Sequence, residues 1–564
     1  MESTTAQPAA AEPAALRAST LCEAFQITCA ENADRVALRT PGDAVSITFA
    51  EYAARVRRIA GGLHALGVRR GDTVGLMLLN RAEFNLCDTA ALHLGATPFS
   101  IYNTSSPEQI AYLFGNAGNA VVITEAQFLP ALAAAAVETI EQIVCVDDAP
   151  DGTTSLAELE AAGPDDFDFE AAWRAVEPED FATLCYTSGT TGPPKGVQLT
   201  HANVIAQGRL IAPVLDWRPG DRITSYLPHA HMADRFTSHY AQMLFGQQVT
   251  AVDDPRQIVA ALPDVRPTVW GAVPRIWEKM KAALESQGVA DPAALPEEAR
   301  AAIRGKLGLD ECRWTIAGAA PTPVEVLEYF GALGIPICEV WGMSELTCIG
   351  TVNPPGRAKV GTVGMPLDGI ELRIADDGEL LARGPTLMQG YRHDPEKTAE
   401  AIDPEGWMHT GDVAEIDDDG YVTIVDRKKE LIINAAGKNM SPANIEARVK
   451  TASPLIGQAC CVGDRRPYNV ALIVLDPDVS AQWAAERGID SAPAALAANQ
   501  SVQDEVARGV EEANTHLSRV EQIKRFVVVP ADWLPGGDEL TPTMKLKRKP
   551  IAEKYAGEIE ALYS

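Results

Sequence analysis

The chain has 564 residues, of which 46% are hydrophobic and 22% charged, and its 77 acidic and 48 basic residues give a net charge of −29. This composition is typical of folded globular proteins and excludes collagen-like, coiled-coil and wholly disordered chains. The acidic surface would repel a nucleic-acid backbone, which excludes nucleic acid as the main partner. A small anion could still bind where backbone N–H groups and a few lysines converge.

The cysteines and the N-terminus indicate the compartment. The ten cysteines are scattered, with no C-x-x-C pair and no histidine at zinc-finger spacing, so we expect reduced thiols. The N-terminus lacks a basic start followed by an apolar run, and no window reaches about 18 consecutive apolar residues. We therefore predict a cytoplasmic protein without signal peptide or membrane-spanning helix, and a peripheral membrane contact stays open.

The first part of the chain has the pattern of a βαβ fold. Residues 1–18 are rich in Ala, Glu, Pro and Thr without periodicity, which predicts a mobile tail outside the core. Period-two spacing predicts a strand at 44–49, helical spacing predicts a helix over 51–66, and the pattern recurs with a strand at 73–79. Ser106 before a proline predicts a helix N-cap. Alternating strands and helices predict parallel sheets covered by helices.

A second unit begins near residue 428. The segment 413–425 places Asp-Asp-Asp-Gly between two β-branched runs, a strong hairpin signal. The five charged residues 426–430 follow directly and suit a joint between domains. We predict an α/β fold with a large N-terminal domain (19–427) of βαβ-type sheets and a small, mobile α+β C-terminal domain (428–564).

A glycine- and threonine-rich stretch at 186–197, YTSGTTGPPKGV, follows an apolar run. Glycines let successive N–H groups converge on phosphate oxygens, hydroxyls add hydrogen bonds, and a lysine adds charge, so we predict a phosphate-binding loop. The Walker A pattern fails, because Lys195 follows Pro194 and precedes Gly196. On chemistry alone, a mobile surface loop remains an alternative.

This stretch resembles the signature loop of the adenylate-forming superfamily, which includes acyl-CoA synthetases, adenylation domains of peptide synthetases and beetle luciferases. The other signatures of that superfamily occur in order over about residues 20 to 550. The resemblance implies a catalytic role for Lys195 and ATP binding by the loop residues Thr187, Ser188, Gly189, Thr190, Thr191 and Gly192.

Two further motifs resemble the nucleotide and metal site. In the stretch 340–345, VWGMSE, the resemblance implies that Trp341, which replaces the usual tyrosine, stacks on adenine, and that Gly342 and Ser344 contact the nucleotide. It also implies that Glu345, with Thr187, holds Mg²⁺, a cation that prefers oxygen ligands and bridges phosphates. The resemblance assigns the remaining nucleotide contacts to the adenine turn, Gly318, Ala319 and Ala320, and to the ribose-binding pair, Asp412 and Arg427.

The C-terminal signatures follow the same order. The resemblance implies that Lys429 is the hinge residue and that Ala436, Gly437 and Lys438 line the channel for the pantetheine arm of CoA. It places the catalytic lysine, which reaches the substrate carboxylate and the α-phosphate, at Lys545. Many relatives have Ser-Gly before this lysine, where this chain has Thr543-Met544.

Two segments, 227–235 and 265–280, look like long-chain acyl-CoA synthetase sequence. The resemblance implies that His231 borders the acyl and nucleotide pocket and acts in catalysis. His229 and His231 could suggest a zinc pair, but no cysteine or third histidine lies nearby in sequence.

The expected activity is an acid-thiol ligase that uses ATP and Mg²⁺ to activate a fatty acid as acyl-AMP and transfers the acyl group to CoA. The alternatives are an enzyme that adenylates aryl or amino acids, one that loads a carrier protein, and a catalytically silent sensor of AMP or acyl-adenylate. The joint presence of Lys195, Glu345, Asp412, Arg427 and Lys545 disfavours the sensor. Acyl chain length and oligomeric state are not readable from the sequence.

Overall fold

The computed structural model describes residues 13–147, 150–187, 193–433, 439–541 and 544–564. The strands are β1 Val36–Arg39, β2 Ser46–Thr48, β3 Thr73–Met77, β4 Thr97–Ser100, β5 Val121–Thr124, β6 Gln142–Cys145, β7 Thr154–Ser155, β8 Phe181–Thr187, β9 Lys195–Thr200, β10 Arg222–Ser225, β11 Gln248–Ala251, β12 Val269–Ala272, β13 Trp314–Ala317, β14 Ile337–Trp341, β15 Thr351–Val352, β16 Met365–Pro366, β17 Glu371–Ile374, β18 Glu379–Arg383, β19 Gly390–Tyr391, β20 Met408–Ile416, β21 Val422–Arg427, β22 Ile432–Ile433, β23 Asn439–Met440, β24 Ile456–Val462, β25 Asn469–Leu475 and β26 Ile523–Val528.

The helices alternate with these strands. They are α1 Leu21–Glu31, α2 Phe49–Ala65, α3 Ala82–Leu92, α4 Pro107–Ala117, α5 Leu129–Ala135, α6 Leu156–Ala161, α7 Phe169–Arg174, α8 His201–Ile211, α9 Met232–Asp234, α10 Ala241–Phe245, α11 Ile258–Val265, α12 Pro274–Ser286, α13 Glu297–Leu307, α14 Val324–Ala332, α15 Pro395–Ala401, α16 Pro442–Ala452, α17 Pro477–Arg487, α18 Pro493–Ala498, α19 Gln500–Thr515, α20 Arg548–Lys554 and α21 Ala556–Tyr563. A π-helical segment, Arg235–Tyr240, lies between α9 and α10, and short 3₁₀ turns include Ala14–Arg17 and Ser344–Leu346.

The largest sheet has eight strands in the order β19-β9-β8-β4-β3-β5-β6-β7. Its centre is parallel, with β3 between β4 and β5, and β8 pairs with β9 in the antiparallel sense. Two further sheets of the large domain, β10-β11-β1-β2 and β12-β13-β14-β15-β16, are also built on parallel pairs, and β17-β18-β20-β21 is antiparallel. The expected α/β fold of helix-covered sheets is confirmed.

Local sequence signals mark several element ends. Ser106 caps α4 as expected, because its hydroxyl accepts the N–H of Gln109 and the Gln109 side chain returns a bond to the cap. Thr48 and Glu51 form the same capping box at α2, so this helix begins two residues earlier than the predicted residue 51. The predicted hairpin joins β20 to β21.

The predicted tail 1–18 is wrong for its last residues. Ala14–Arg17 form a 3₁₀ turn in which Ala15 and Leu16 are buried among the core of the large domain. Arg209 donates hydrogen bonds to the carbonyl oxygens of Leu16 and Ala18, at 2.6 and 3.0 Å. A short apolar group without periodicity is ordered here by tertiary packing, which local patterning does not register. Residues 1–12 lie outside the described part of the chain.

The C-terminal domain is a small α+β unit. Strands β24, β25 and β26 form one sheet, and α16 and α19 pack on it around a hydrophobic cluster of its own. The clusters of the large domain end at Ile424, and those of the small domain begin at Ile432. The boundary between 427 and 428 stays a prediction.

In the part of the chain that is described, no helix is long and apolar enough to cross a membrane.

Candidate active site

The predicted phosphate loop joins two paired strands. Thr187 ends β8 and stands opposite Lys195, the first residue of β9, in the antiparallel register. The five loop residues between them that were expected to bind ATP, Ser188, Gly189, Thr190, Thr191 and Gly192, lie outside the described residues. The strand register therefore places Lys195 opposite Thr187, the residue after which the loop begins.

Lys195 lies over an aromatic ring. Its Nζ is 4.0 Å from the ring centroid of Tyr391, a cation–π distance. Burial lowers the pKa of Lys195, the nearby Glu345 carboxylate opposes that shift, and the charge of Lys429 adds to it. Lys429, the expected hinge residue, lies two residues after Arg427, where β21 ends.

Glu345 is a buried carboxylate beside this lysine. It lies in the 3₁₀ turn after β14 with 6% of its surface exposed, and its Oε1 accepts a 2.9 Å hydrogen bond from the hydroxyl of Tyr391. Its Oε2 accepts no hydrogen bond from any described residue. The neighbouring Ser344 accepts a 3.3 Å bond from the thiol of Cys185 on β8, which joins this turn to the loop strand.

The small-residue turn after β13 fits closely against β14. A Cβ on Gly318 would lie 2.8 Å from Cγ2 of Val340, so only glycine allows this approach. Ala319 has a φ of +69°, in the left-handed region, and it and Ala320 are exposed. A Cβ on Gly342 would lie 1.7 Å from the carbonyl oxygen of Cys348. Gly342 is thus required by the approach of another backbone segment, and Gly318 by the approach of a valine side chain.

Trp341, Asp412 and Arg427 form one hydrogen-bonded group. The indole N–H donates to Oδ2 of Asp412 at 2.8 Å, and Nε of Arg427 lies 2.9 Å from Oδ1. Asp412 and Arg427 face each other in the register of β20 and β21. Burial raises the pKa of Asp412, whereas Arg427 and the Trp341 hydrogen bond oppose that rise. Trp341 is itself 8% exposed.

His231 and His229 have separate environments. His231 caps α9, accepting the N–H of Ala233 on Nδ1, and burial together with the charge of Lys545 lowers its pKa to about 4. His229 stacks on Phe84 with centroids 3.4 Å apart. Among the described residues, no group of three His, Cys, Asp or Glu side chains could hold a metal ion.

Lys545 reaches the same cleft from the C-terminal domain. Its side chain keeps solvent-exposed surface. Partial desolvation by the surrounding protein and the charge of Arg427 lower the pKa of Lys545, whereas Asp412 and Glu345 oppose that shift. Its loop is anchored three residues later, where Arg548 donates two hydrogen bonds to Glu446, at 2.6 and 2.9 Å. The expected CoA-channel residues Ala436, Gly437 and Lys438 lie outside the described residues.

Sequence reasoning assigned no role to three residues of this region. Tyr391 links Lys195 to Glu345. Asp426 accepts hydrogen bonds from the Ser441 hydroxyl and the Ala443 N–H at the start of α16, which ties the two domains together. Burial raises the pKa of Glu339, on β14, to about 7. A charged residue inside a strand pattern was a usable signal for Asp426 and Glu339, but Tyr391 carried none.

The described groups combine three cationic side chains, Lys195, Arg427 and Lys545, with two buried carboxylates, Glu345 and Asp412. The cations suit a polyphosphate and a carboxylate substrate, since both are anions. The carboxylate of Asp412 suits a diol donor, and that of Glu345, with one oxygen unbonded by described residues, suits a divalent cation. The site can therefore hold two anions side by side.

Comparison with known proteins gives family matches over most of the chain. Residues 25–392 match the family described as AMP-binding enzyme, and residues 429–564 match the AMP-binding enzyme C-terminal domain.

Two mycobacterial proteins are similar in sequence. The protein named fatty-acid–CoA ligase fadD11 of Mycobacterium tuberculosis is 54% identical over 73% of this chain and 79% of its own length. The long-chain-fatty-acid–CoA ligase FadD15 of Mycobacterium bovis is 36% identical over 92% of both chains.

Solved structures share the fold. The anthranilate CoA ligase AuaEII in complex with anthranoyl-AMP matches with a TM-score of 0.78 and 21% identity, covering 96% of this chain and 98% of its own. A fatty acyl CoA synthetase of Mycobacterium tuberculosis matches with a TM-score of 0.64 and 25% identity, covering 96% and 99%.

Proposed function

Because the chain belongs to the AMP-binding enzyme family, whose two parts match residues 25–392 and 429–564, we propose that it is an AMP-forming ligase of fatty acids and CoA. It activates a fatty acid with ATP as acyl-AMP and passes the acyl group to CoA. The observation that carries the proposal is that cations and buried carboxylates lie together: Arg427 is 2.9 Å from Asp412, and Tyr391 contacts both Lys195 and Glu345.

A carboxylate needs activation because a thiol attacking it would have to expel oxide from an anionic group. In the first step a carboxylate oxygen attacks the α-phosphorus of ATP and pyrophosphate leaves. In the second step the CoA thiol attacks the acyl carbon, loses its proton, and AMP leaves. The protein's task is to hold the two anions together and to stabilise the charge that develops at phosphorus.

We assign these tasks to residues as follows. Lys545 neutralises the carboxylate and the α-phosphate, Lys195 and the loop residues bind the outer phosphates, and Asp412 accepts the ribose hydroxyls beside Arg427. His231, whose pKa of about 4 keeps it neutral, borders the acyl group. The remaining assignments are adenine contacts at Gly318, Ala319, Ala320, Trp341, Gly342 and Ser344, the hinge at Lys429, and the CoA channel at Ala436, Gly437 and Lys438.

Mg²⁺ fits beside Glu345. This carboxylate is buried, is held through one oxygen by Tyr391, and lies near Lys195. With Thr187 it would hold the cation, which when bound would neutralise charge on the phosphates of ATP.

The fatty acyl substrate is supported by the relatives, since FadD15, with 36% identity over 92% of this chain, is named a long-chain-fatty-acid–CoA ligase. We also propose a cytoplasmic location, which the scattered spacing of the ten cysteines supports, because it matches no disulfide framework of a secreted protein.

The test is ATP-dependent pyrophosphate release over a panel of acids from acetate through benzoate and amino acids to palmitate, with and without CoA, with acyl-CoA identified by mass spectrometry. We expect CoA-dependent turnover that is greatest with long-chain acids. Release that is greatest with aryl or amino acids would contradict the fatty acyl substrate, and no release with any acid would contradict the ligase.

A further inference from the structure

Tyr391 contacts both of the groups assigned to ATP and its metal. Its hydroxyl donates to Oε1 of Glu345 at 2.9 Å, and its ring lies under Nζ of Lys195 at 4.0 Å. The side chain is 4% exposed, so neither contact is shared with bulk water. Lys195 and Glu345 are 150 residues apart in sequence, and one buried tyrosine bridges them.

The backbone around Tyr391 is fixed to the same two elements. Strand β19 pairs with β9, the strand that begins with Lys195, and the N–H of Arg392 donates to the carbonyl oxygen of Gly196 at 2.8 Å. On the other side, the N–H of Met388 donates to the carbonyl oxygen of Glu345 at 2.9 Å. Segment 388–392 therefore ties the turn that carries Glu345 to the strand that carries Lys195.

The chemistry of the phenol sets the direction of the hydrogen bond. An ionised carboxylate can only accept a hydrogen bond, so the hydroxyl of Tyr391 is the donor. The donated bond engages Oε1 and leaves Oε2 without a partner among the described residues. A carboxylate held in this way presents one oriented oxygen to a cation instead of rotating between positions. The ring meanwhile offers its electron-rich face to the ammonium of Lys195.

We propose that Tyr391 is a positioning residue that orients the Glu345 carboxylate toward the metal of ATP·Mg²⁺ and holds the ammonium of Lys195 at the start of β9. This inference rests on the proposed function. The hydroxyl and the ring have separate tasks, so two substitutions separate them: Tyr391→Phe removes the hydroxyl alone, and Tyr391→Leu removes hydroxyl and ring.

Tyr329 is a matched control. It is 6% exposed, its hydroxyl donates a 2.6 Å hydrogen bond to the carbonyl oxygen of Val289, and Nζ of Lys281 lies 5.4 Å from its ring centroid. It belongs to a different hydrophobic cluster, around α12 and α14. Tyr329→Phe thus removes the same kind of buried hydroxyl below a lysine without touching Glu345 or Lys195.

The test measures ATP binding to the full chain by calorimetry as a function of Mg²⁺ concentration, and in EDTA, together with pyrophosphate release. For Tyr391→Phe we expect about tenfold more Mg²⁺ for half-maximal ATP binding and unchanged binding in EDTA. For Tyr391→Leu we expect in addition about threefold weaker binding in EDTA. Tyr329→Phe should match the wild type in both measurements.

An unchanged Mg²⁺ requirement in Tyr391→Phe would overturn the proposal, and so would a fall in melting temperature without a shift in that requirement. If Tyr391→Leu fails to fold, the Mg²⁺ requirement of Tyr391→Phe still tests the proposal. Wild-type protein that binds ATP·Mg²⁺ but releases no pyrophosphate with any acid would contradict the proposed function, while the comparison of binding would still test Tyr391.

Discussion

The indole N–H of Trp341 donates a 2.8 Å hydrogen bond to one oxygen of Asp412, whose other oxygen lies 2.9 Å from Nε of Arg427. Each oxygen of the carboxylate therefore has a donor beside it, and Asp412 is only 4% exposed. The superfamily that the sequence resembles usually has tyrosine at position 341. In this chain the indole supplies a donor as well as a ring, so Trp341 makes a polar link to Asp412, the residue proposed to bind the ribose.

We expect Trp341→Phe to move the acidic limb of the pH profile of kcat/KM for ATP to higher pH. The hydrogen bond favours the ionised form of Asp412, so its loss raises further a pKa that burial already raises. Protonation of Asp412 would then begin at higher pH as the pH falls. Trp173→Phe is the control, because this indole N–H is buried but has no hydrogen-bond partner among the described residues. An acidic limb that stays in place in Trp341→Phe would contradict the account.

Arg235, Asp88 and His239 form a buried group of titratable side chains in the large domain. Arg235, on the π-helical segment, pairs with Asp88, which also accepts a 2.8 Å bond from His239, and all three are at most 2% exposed. Arg235→Met would leave the Asp88 carboxylate buried without its main counter-charge. We expect a loss of about 3 to 5 kcal/mol in the free energy of unfolding, measured by denaturant titration.

The control for that measurement is a surface pair. Arg174 and Glu170 are also joined by an ion pair, of 2.6 Å, but their side chains are 62% and 55% exposed. Arg174→Met should therefore cost about 0.5 kcal/mol or less. Equal losses in Arg235→Met and Arg174→Met would show that burial of the charge does not set its contribution.

Met544, directly before Lys545, has a φ of +65°, in the left-handed region that favours glycine. Its side chain is 43% exposed, so packing does not demand methionine there. We expect Met544→Gly to keep the rate of pyrophosphate release. Met544→Val should slow that rate about tenfold, because a β-branched residue is strained in this region. Equal rates in the two variants would contradict a role for this turn in placing Lys545.

The sequence predicted the structural features that depend on neighbouring residues and missed the contacts between residues far apart in the chain. The hairpin at 417–420 and the cap at Ser106 depend on neighbouring residues, and both were predicted. The carbonyl oxygen of Leu16 accepts a hydrogen bond from Arg209, almost two hundred residues away, and no sequence pattern indicated that contact. The ordered motifs identified the candidate site residues. The contact of Tyr391 with Lys195, however, arises from the pairing of β19 with β9, which sequence spacing does not predict.

Ion pairs between the domains hold the C-terminal domain where Lys545 enters the cleft. Arg275 on α12 lies 2.6 Å from Asp476, which caps α17, and Glu325 on α14 pairs with Arg448 on α16. We expect Glu325→Arg and Arg448→Glu each to slow pyrophosphate release several-fold, because like charges would meet at the interface. The double reversal should restore the rate, and thioester formation from supplied acyl-AMP should be unaffected throughout. A double variant slower than both single variants would contradict the pairing.

In the proposed function, Lys545 serves adenylation and not thioester formation. The most direct measurement compares Lys545→Ala with Lys549→Ala, an exposed lysine four residues further on whose Nζ lies 3.9 Å from Glu553. Each variant is assayed for pyrophosphate release from ATP and palmitate, and for palmitoyl-CoA formation from supplied palmitoyl-AMP. We expect Lys545→Ala to lose the first activity and keep the second, and Lys549→Ala to keep both. Pyrophosphate release at the wild-type rate in Lys545→Ala would contradict it.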